Sequence, residues 1–227
     1  MKINYIMKNP KIILLVMLMF CVQKLKSQNI LPPENVFDLY FKSFVKYDDP
    51  SLRELNSYLI NFMGKDHTHK MSQKDSYDKK VDYFTQLFLS NLSAEVAQEC
   101  KKEARDYFCV FWSNFKDAKY NIKNIKTVFN ENMKDQEISE VNYTVSFKVP
   151  SHKMSINIGD IKKIGAGEMR KYLIDITDYF RKADKVVSTD QKFMMYQVKY
   201  GRDTYYWNGG PEELVWKQEE FYLKSIN

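Results

Sequence analysis

The stretch that decides the fold is residues 79–115, KKVDYFTQLFLSNLSAEVAQECKKEARDYFCVFWSNF. Its apolar residues recur at steps of three or four, which is the period of a helix with one apolar face. Ser93 followed by Glu95 is typical of a helix start, because serine caps free amide groups and a carboxylate is favoured in the first turn. The stretch therefore predicts two consecutive helices, the second beginning at Ser93, that support a sheet. The apolar positions are Val81, Phe84, Phe88, Leu92, Val96, Cys100, Ala104, Phe108, Phe111 and Phe115.

Strand patterns follow these helices along the chain. Residues 141–149 alternate apolar and polar side chains without interruption, which is typical of a strand with one buried face. Residues 120–129 change phase once, so we expect a strand with a β-bulge near Asn124. The pattern also predicts a long strand over residues 192–207 and a partner strand over residues 214–223. The turn NGGP between them makes a terminal hairpin.

Further helices are predicted before and between the strands. Residues 34–46 form the first, and residues 168–183 form one between the strands. Helices followed by strands indicate an α+β fold, in which N-terminal helices pack on a curved antiparallel sheet and an additional helix is inserted between strands. We expect a linker over residues 28–34 and a single domain over residues 35–227, with residues 151–190 as the insertion.

Residues 1–27 have the composition of a secretory signal peptide, in which a basic segment precedes an apolar run over residues 12–22. The run is too short for a transmembrane helix, which needs about 20 apolar residues. We expect cleavage near Ser27-Gln28, a secreted or periplasmic protein, and no stable membrane span after cleavage. The Ser-Gln ending resembles signal peptides of Bacteroidetes-type bacteria. An uncleaved anchor, or a lipid-modified Cys21, is the weaker alternative.

The net charge of +6 comes almost entirely from this leader. Five of the 35 basic residues lie in residues 1–27, which contain no acidic residue, so the remainder carries 30 basic and 29 acidic residues and a charge of +1. A basic domain would suggest a nucleic-acid partner, whereas a near-neutral one with mixed charges does not. We therefore expect no nucleic-acid partner.

Two cysteines, Cys100 and Cys109, remain after the leader is removed. Nine residues along one helix correspond to a rise of about 13.5 Å. A disulfide requires Cα atoms within about 7 Å. We expect two separate buried thiols, with a disulfide open as the alternative if the helix breaks between them.

No catalytic or metal-binding pattern stands out. His67 and His69 lie in residues 65–78, which are polar and without a period, and we expect an exposed loop there. Lys65 and Lys70 flank the histidines and repel a cation, and a metal site needs three or four converging ligands. We therefore expect no metal and no cofactor, and we assign no catalytic residue.

The order of elements resembles the nuclear transport factor 2-like superfamily, a cone-shaped α+β fold. The local similarities are residues 48–52 (DDPSL) after the first helix, residues 88–93 (FLSNLS) before a further helix, and Trp216 in the last strand. The resemblance covers residues 35–149 and 192–224. It implies a sheet that curls round a pocket, in which some members transfer protons and many bind small ligands or proteins.

The aromatic content, 16 tyrosines and 15 phenylalanines, gives the leading functional hypothesis. It is a non-catalytic binding protein whose aromatic-lined cleft holds a small molecule or a peptide. The alternatives are a protein–protein interaction module, such as an immunity-like or envelope-assembly protein, and a proton-transfer or hydrolytic enzyme on a cone-shaped fold. A homodimer is a further candidate assembly. The missing acid–base pair disfavours the enzyme. The residues proposed to line the cleft are Trp112, Tyr143, Tyr196 and Trp216.

Overall fold

The computed structural model of the protein describes residues 30–70, 72–130, 133, 136–151 and 163–226. Within them the chain forms seven α-helices and one four-stranded antiparallel sheet. The predicted α+β class is confirmed, and so is the additional helix between strands. The predicted signal peptide lies outside the described residues.

A compact unit begins at Leu31, and its first half is helical. Side-chain caps set three of the helix starts, because Asp48, Ser72 and Ser93 each accept a hydrogen bond from the amide three residues further on. The cap at Ser93 confirms the helix start predicted there. The five helices are α1 (Pro33–Phe44), α2 (Asp49–Met63), α3 (Gln73–Leu89), α4 (Ala94–Glu99) and α5 (Lys101–Lys116).

Two details of this helical half differ from the prediction. Residues 73–78, predicted as part of an exposed loop, form the start of α3, because Ser72 caps them and Asp49 accepts a 2.7 Å hydrogen bond from the Gln73 amide. The chain from Ser93 onward forms two helices instead of one, since Cys100 leaves helical geometry (φ −104°, ψ 7°) and separates α4 from α5. Both cysteines are free, as expected, although only Cys100 is fully buried.

The sheet has the strand order β1-β2-β3-β4, with neighbours antiparallel. The register shifts between Ile122 and Asn124, which confirms the predicted bulge. Helix α6 (Ala166–Arg181) lies between β2 and β3 in the sequence and starts two residues before the predicted helix. The strands are β1 (Lys119–Phe129), β2 (Glu137–Val149), β3 (Lys185–Tyr200) and β4 (Asp203–Trp207).

The predicted terminal hairpin is wrong. Its long first strand is two strands, β3 and β4, joined by a turn in which Gly201 adopts φ 65°. Its second strand is helix α7 (Glu212–Ile226). Leu214, Gln218 and Tyr222 are buried four residues apart, which is helical spacing. The polar Gln218 interrupts the apolar pattern and conceals that period.

The register divides the strands into two faces. The inner face packs against α1, α5 and α7, with Phe37 4.8 Å from Tyr143 and Tyr222 5.4 Å from Phe147 between ring centroids. The inner face comprises Tyr120, Ile122 and Ile125 of β1, Val141, Tyr143, Val145, Phe147 and Val149 of β2, and Val187, Thr189, Gln191 and Phe193 of β3. The outer face comprises Lys119, Asn121, Asn124, Lys126 and Val128 of β1, Ile138, Glu140, Asn142, Thr144, Ser146 and Lys148 of β2, and Val186, Ser188, Asp190, Lys192, Met194 and Tyr196 of β3.

The inserted helix α6 packs on other helices. Met169 and Leu173 are buried with Leu89, Val96, Cys100 and Ala104 in a second, smaller core. Of the predicted insertion, residues 152–162 lie outside the described part of the chain, and residues from Lys185 onward belong to β3. The insertion thus extends the helical layer.

Candidate functional site

The four aromatic residues proposed from the sequence do not line one cleft. Trp112 and Tyr143 are buried in the main core, with 1% and 2% of their surface exposed. Tyr196 is half-buried on β3, where its ring lies 5.9 Å from that of Trp207. Trp216 is on α7, with 67% of its surface exposed. Three of the four therefore serve packing, and the fourth faces outward.

The two buried candidates have polar partners that explain their positions. The Tyr143 hydroxyl accepts a 3.1 Å hydrogen bond from Gln218, and burial raises the pKa of this tyrosine well above its ordinary value. The Lys80 ammonium lies 4.2 Å from the centre of the Trp112 ring and forms an ion pair with Glu219. The ion pair joins α3 to α7, and the hydrogen bond joins α7 to β2, so both aromatic residues take part in packing the core.

A cleft of about 780 Å³ lies at the end of the sheet where β1 begins and β2 ends. It is lined by residues of α1, α2, α5, β1, β2 and β3 and of the turns that join them. Five lysines face it against two carboxylates, so it carries net positive charge. The lining residues are Lys42, Lys46, Asp48, Ser51, Asn114, Lys116, Asp117, Lys119, Ser146, Phe147, Lys148 and Val186.

Tyr47 fixes one wall of this lysine cleft. It has φ 54°, in the left-handed region that costs a non-glycine residue about 1 kcal/mol. Its ring packs 5.5 Å from that of Tyr77, and its hydroxyl accepts a 3.1 Å hydrogen bond from Lys80. The anchored ring sets the turn between α1 and α2, where Lys46 and Asp48 line the cleft on either side of it.

The lysines of the cleft differ in how they are partnered. Lys42 pairs with Asp38 at 2.6 Å, and Lys116 lies over the Tyr77 ring at 5.2 Å. The ammonium groups of Lys46, Lys119 and Lys148 form no ion pair with any described residue. Three uncompensated cations thus face one space, where their summed potential favours an anion.

The carboxylates of the cleft do not neutralise it for binding. Asp48 accepts hydrogen bonds from the Ser51 amide at 2.9 Å and the Ser51 hydroxyl at 2.6 Å. Partial burial opposes ionisation of Asp48, but these hydrogen bonds and the charges of Lys42 and Lys116 hold its pKa below the ordinary value. A carboxylate that caps a helix and has a lowered pKa is a poor general base for Ser51. Asp48 and Ser51 therefore have a structural role in the wall of the cleft.

The two histidines singled out from the sequence have separate neighbours. His69 is held by Asn56, which accepts from its amide and donates to its carbonyl at 2.8 Å, and its ring contacts Phe44 at 4.9 Å. The His67 ring lies against Trp207. Within the described ranges, no group of three or more histidine, cysteine or acidic side chains is placed to hold a metal ion.

The lysine cleft had no local signal in the sequence. Its residues come from positions 42–51, 114–119, 146–148 and 186, and only the fold brings them together. Lys42 and Lys46, one turn apart at the end of α1, are the one short-range hint. Their ordinary explanation is a favourable position for cations near a helix C-terminus.

No protein-family model, curated protein or solved structure matches this chain. The resemblance to the nuclear transport factor 2-like superfamily stays a prediction. One of its local similarities is displaced, since Trp216 lies on helix α7 and not on a last strand. Across the residues that the structure describes, no helix has the length and apolar character needed to cross a membrane.

Proposed function

We propose that this protein is an exported, non-catalytic binding protein that holds an anionic small molecule in the lysine cleft. The observation that carries the proposal is the excess of five lysines over two carboxylates around one space of about 780 Å³. The volume lies within the range of small-molecule sites. The hypothesis of a ligand-binding cleft is kept, and its chemistry changes from aromatic to cationic.

The chemistry of the lining favours binding over catalysis. The lining combines ammonium, amide and hydroxyl groups, which recognise carboxylate, sulfate or phosphate oxygens. It contains no histidine and no cysteine; of its two serines, Ser51 donates to the capping carboxylate of Asp48, and Ser146 donates to the Lys119 carbonyl. A cleft with cations, hydrogen-bond donors and no nucleophile–base pair retains an anion without transforming it.

Isothermal titration calorimetry with citrate, phosphate and sulfate tests the proposal. We expect at least one of these anions to bind, to bind more weakly as salt is raised, and to lose about tenfold or more in affinity in the Lys46→Ala/Lys119→Ala/Lys148→Ala variant. Uncharged glycerol serves as the negative ligand. Lys101→Ala/Lys102→Ala/Lys182→Ala, which removes three exposed lysines outside the cleft, is the control matched in charge. Equal binding by the triple variant would contradict the proposal.

Export is tested separately from binding. We expect the protein purified from cells that carry out secretion to begin at Gln28, because the signal-peptide pattern ends at Ser27. Intact-mass measurement gives the start of the mature chain directly. A mass that includes residues 1–27 would contradict export with cleavage. It would not bear on the proposal that the lysine cleft binds an anion.

A protein partner is the second candidate, and the exposed side of α7 favours it. Trp216 and Leu223 are 67% and 41% exposed and lie seven residues apart, so they share one side of the helix. Tryptophan is enriched among the residues that dominate protein interfaces. Light scattering across a concentration series is expected to show a dimer that Trp216→Ala converts to a monomer. A wild-type monomer at all concentrations would exclude the homodimer.

A further inference from the structure

The outer face of the sheet continues the lysine cleft. Lys119 and Ser146 belong to both, and Ser188 extends the same cross-strand row onto β3. The next rows along the strands are Asn121–Thr144–Asp190, Asn124–Asn142–Lys192 and Lys126–Glu140–Met194. Polar side chains thus form an uninterrupted path from the cleft along β1 and β2, and along β3 as far as Lys192.

A hydrogen-bond network holds this path in place. Asn142 donates to Asn124 at 3.1 Å and to Glu140 at 3.0 Å, and Lys192 pairs with Glu140 at 3.0 Å. On the adjacent row Lys123 and Thr144 both donate to Asp190, at 2.6 and 2.8 Å. The acidic groups are engaged within the face, so they orient the lysines and amides that surround them.

A second recess, of about 550 Å³, lies further along the strands, where outer-face residues of β1, β2 and β3 are joined in the lining by Tyr143 and Gln191 and by Lys217 of α7. Lys126 faces it and forms no ion pair with any described residue. From Lys119 in the lysine cleft to Lys126 in the second recess is seven residues of strand, or about 23 Å. The second recess is lined by Lys123, Asn124, Lys126, Asn142, Tyr143, Asp190, Gln191, Lys192 and Lys217.

We propose that the outer face binds an acidic polysaccharide that spans the lysine cleft and the second recess. The inference rests on the proposed function, and it names the class of anion and extends the site. A uronic-acid chain presents carboxylates at regular intervals and hydroxyl groups between them. The lysines match the carboxylates, and the asparagine, serine and threonine side chains of the rows match the hydroxyls.

Both recesses lack the side chains that other polyanions need, and this favours a polysaccharide as the ligand. Neither lining contains arginine, and its aromatic residues, Phe147 and Tyr143, are buried, so a nucleic acid finds no stacking platform and no bidentate phosphate donor. The exposed apolar residues Val186 and Met194 lie at opposite ends of the path with three polar rows between them, so a protein partner finds no apolar centre along it.

Binding by such a face must depend on chain length. A single contact between an exposed lysine and a carboxylate contributes little in water. Contacts on one linked chain add, because each contact holds the remainder of the chain near the surface. A short acid fills one recess, whereas a chain that covers about 23 Å occupies both.

Fluorescence anisotropy with labelled oligogalacturonides tests the proposal. We expect a chain long enough to span both recesses to bind more tightly than digalacturonate. At equal concentrations of sugar units, its dissociation constant should be lower by about tenfold or more. Lys126→Ala/Lys192→Ala is expected to lower long-chain affinity to the level of the short chain, while digalacturonate still binds in the lysine cleft, whose lining contains neither residue. Lys102→Ala/Lys182→Ala, at exposed sites outside both recesses, is the control.

The other outcomes decide against the inference in distinguishable ways. Equal affinity for long and short chains overturns it and leaves the anion site in the lysine cleft standing. Tighter binding of single-stranded oligothymidylate or of polyglutamate, matched in charge, overturns the sugar class in favour of nucleic acid or protein. No binding of any anion, including citrate, overturns the inference and the proposed function together.

Discussion

The inner and outer faces of the sheet are made by alternate residues of the same strands, yet they have opposite chemistry. On β2, Tyr143 and Phe147 point into an aromatic core, while Asn142, Ser146 and Lys148 point away from it. The high aromatic content is therefore explained by packing, since the rings of α1, α5 and α7 meet those of the strands. The binding chemistry that we propose belongs to the other face.

The largest expected effect is on the inner face. Phe147→Ala removes a ring that is 2% exposed and stacked 5.4 Å from Phe115, and we expect the free energy of unfolding to fall by about 3–5 kcal/mol. Its neighbour Lys148→Ala, on the outer face, should change it by less than about 0.5 kcal/mol. Urea denaturation measures both. Similar losses at the two positions would break the distinction between the faces.

The next effect tests whether polar contacts also hold the helical layer to the inner face. Glu219→Ala leaves the Lys80 ammonium, 17% exposed over the Trp112 ring, without its ion-pair partner. We expect a loss of about 2 kcal/mol, between the values for surface and fully buried pairs. Thermal unfolding measures it. The double variant Lys80→Met/Glu219→Leu should recover most of the lost stability. If it does not, the loss in Glu219→Ala comes from packing and not from the unpaired charge.

A smaller effect is expected at the turn between α1 and α2, where Asp48 caps α2 and lines the lysine cleft. Asp48→Ala should cost about 1 kcal/mol at neutral pH. The pKa of Asp48 is lowered in the folded protein, so its stabilisation is complete above the pKa of the unfolded state and is lost as pH falls through the folded pKa.

The stability difference between wild type and Asp48→Ala should therefore disappear in acid, as urea denaturation across pH will show. The exposed Asp106 of α5, which does not cap the helix, gives the matched substitution Asp106→Ala, for which we expect a change of less than about 0.5 kcal/mol at neutral pH. A difference for Asp48→Ala that is constant with pH would mean that the carboxylate charge is not what caps the helix.

The smallest effect is on the outer face itself. Asn142→Ala removes the hydrogen bonds to Asn124 and Glu140 at a half-buried position, and we expect a loss of about 0.5 kcal/mol. The same variant should weaken binding of long oligogalacturonides by several-fold. A large loss of stability without a change in binding would make the network a structural element of the sheet.

The sequence predicts the elements whose signals are local. Strict alternation over residues 141–149 gives β2, a single change of phase gives the bulge at Asn124, and a serine before a carboxylate gives the start of α4. It fails at α7, where valine, tryptophan and phenylalanine favour a strand by propensity. Tertiary packing of Leu214, Gln218 and Tyr222 overrides that preference.

The candidate site is less accessible to prediction than the fold. The composition shows that the chain is rich in aromatic residues, but it does not show which of them are buried. Trp112 and Tyr143 are buried in the main core, and that burial determines their role. The lysines of the cleft lie on segments more than 100 residues apart, for example Lys42 and Lys148. A net charge near zero conceals them, because it does not record where on the surface the charges fall.

The length of β3 has a further consequence for aggregation of the protein. β4 pairs only with the last five residues of β3, so in the described part of the chain residues 185–195 have one strand neighbour, β2. An open strand edge is a template on which further strands grow into fibres. Lys185, Asp190 and Lys192 lie along that edge, and charges there oppose such growth. The need to stay soluble therefore favours charged side chains at these three positions, whether or not a ligand binds there.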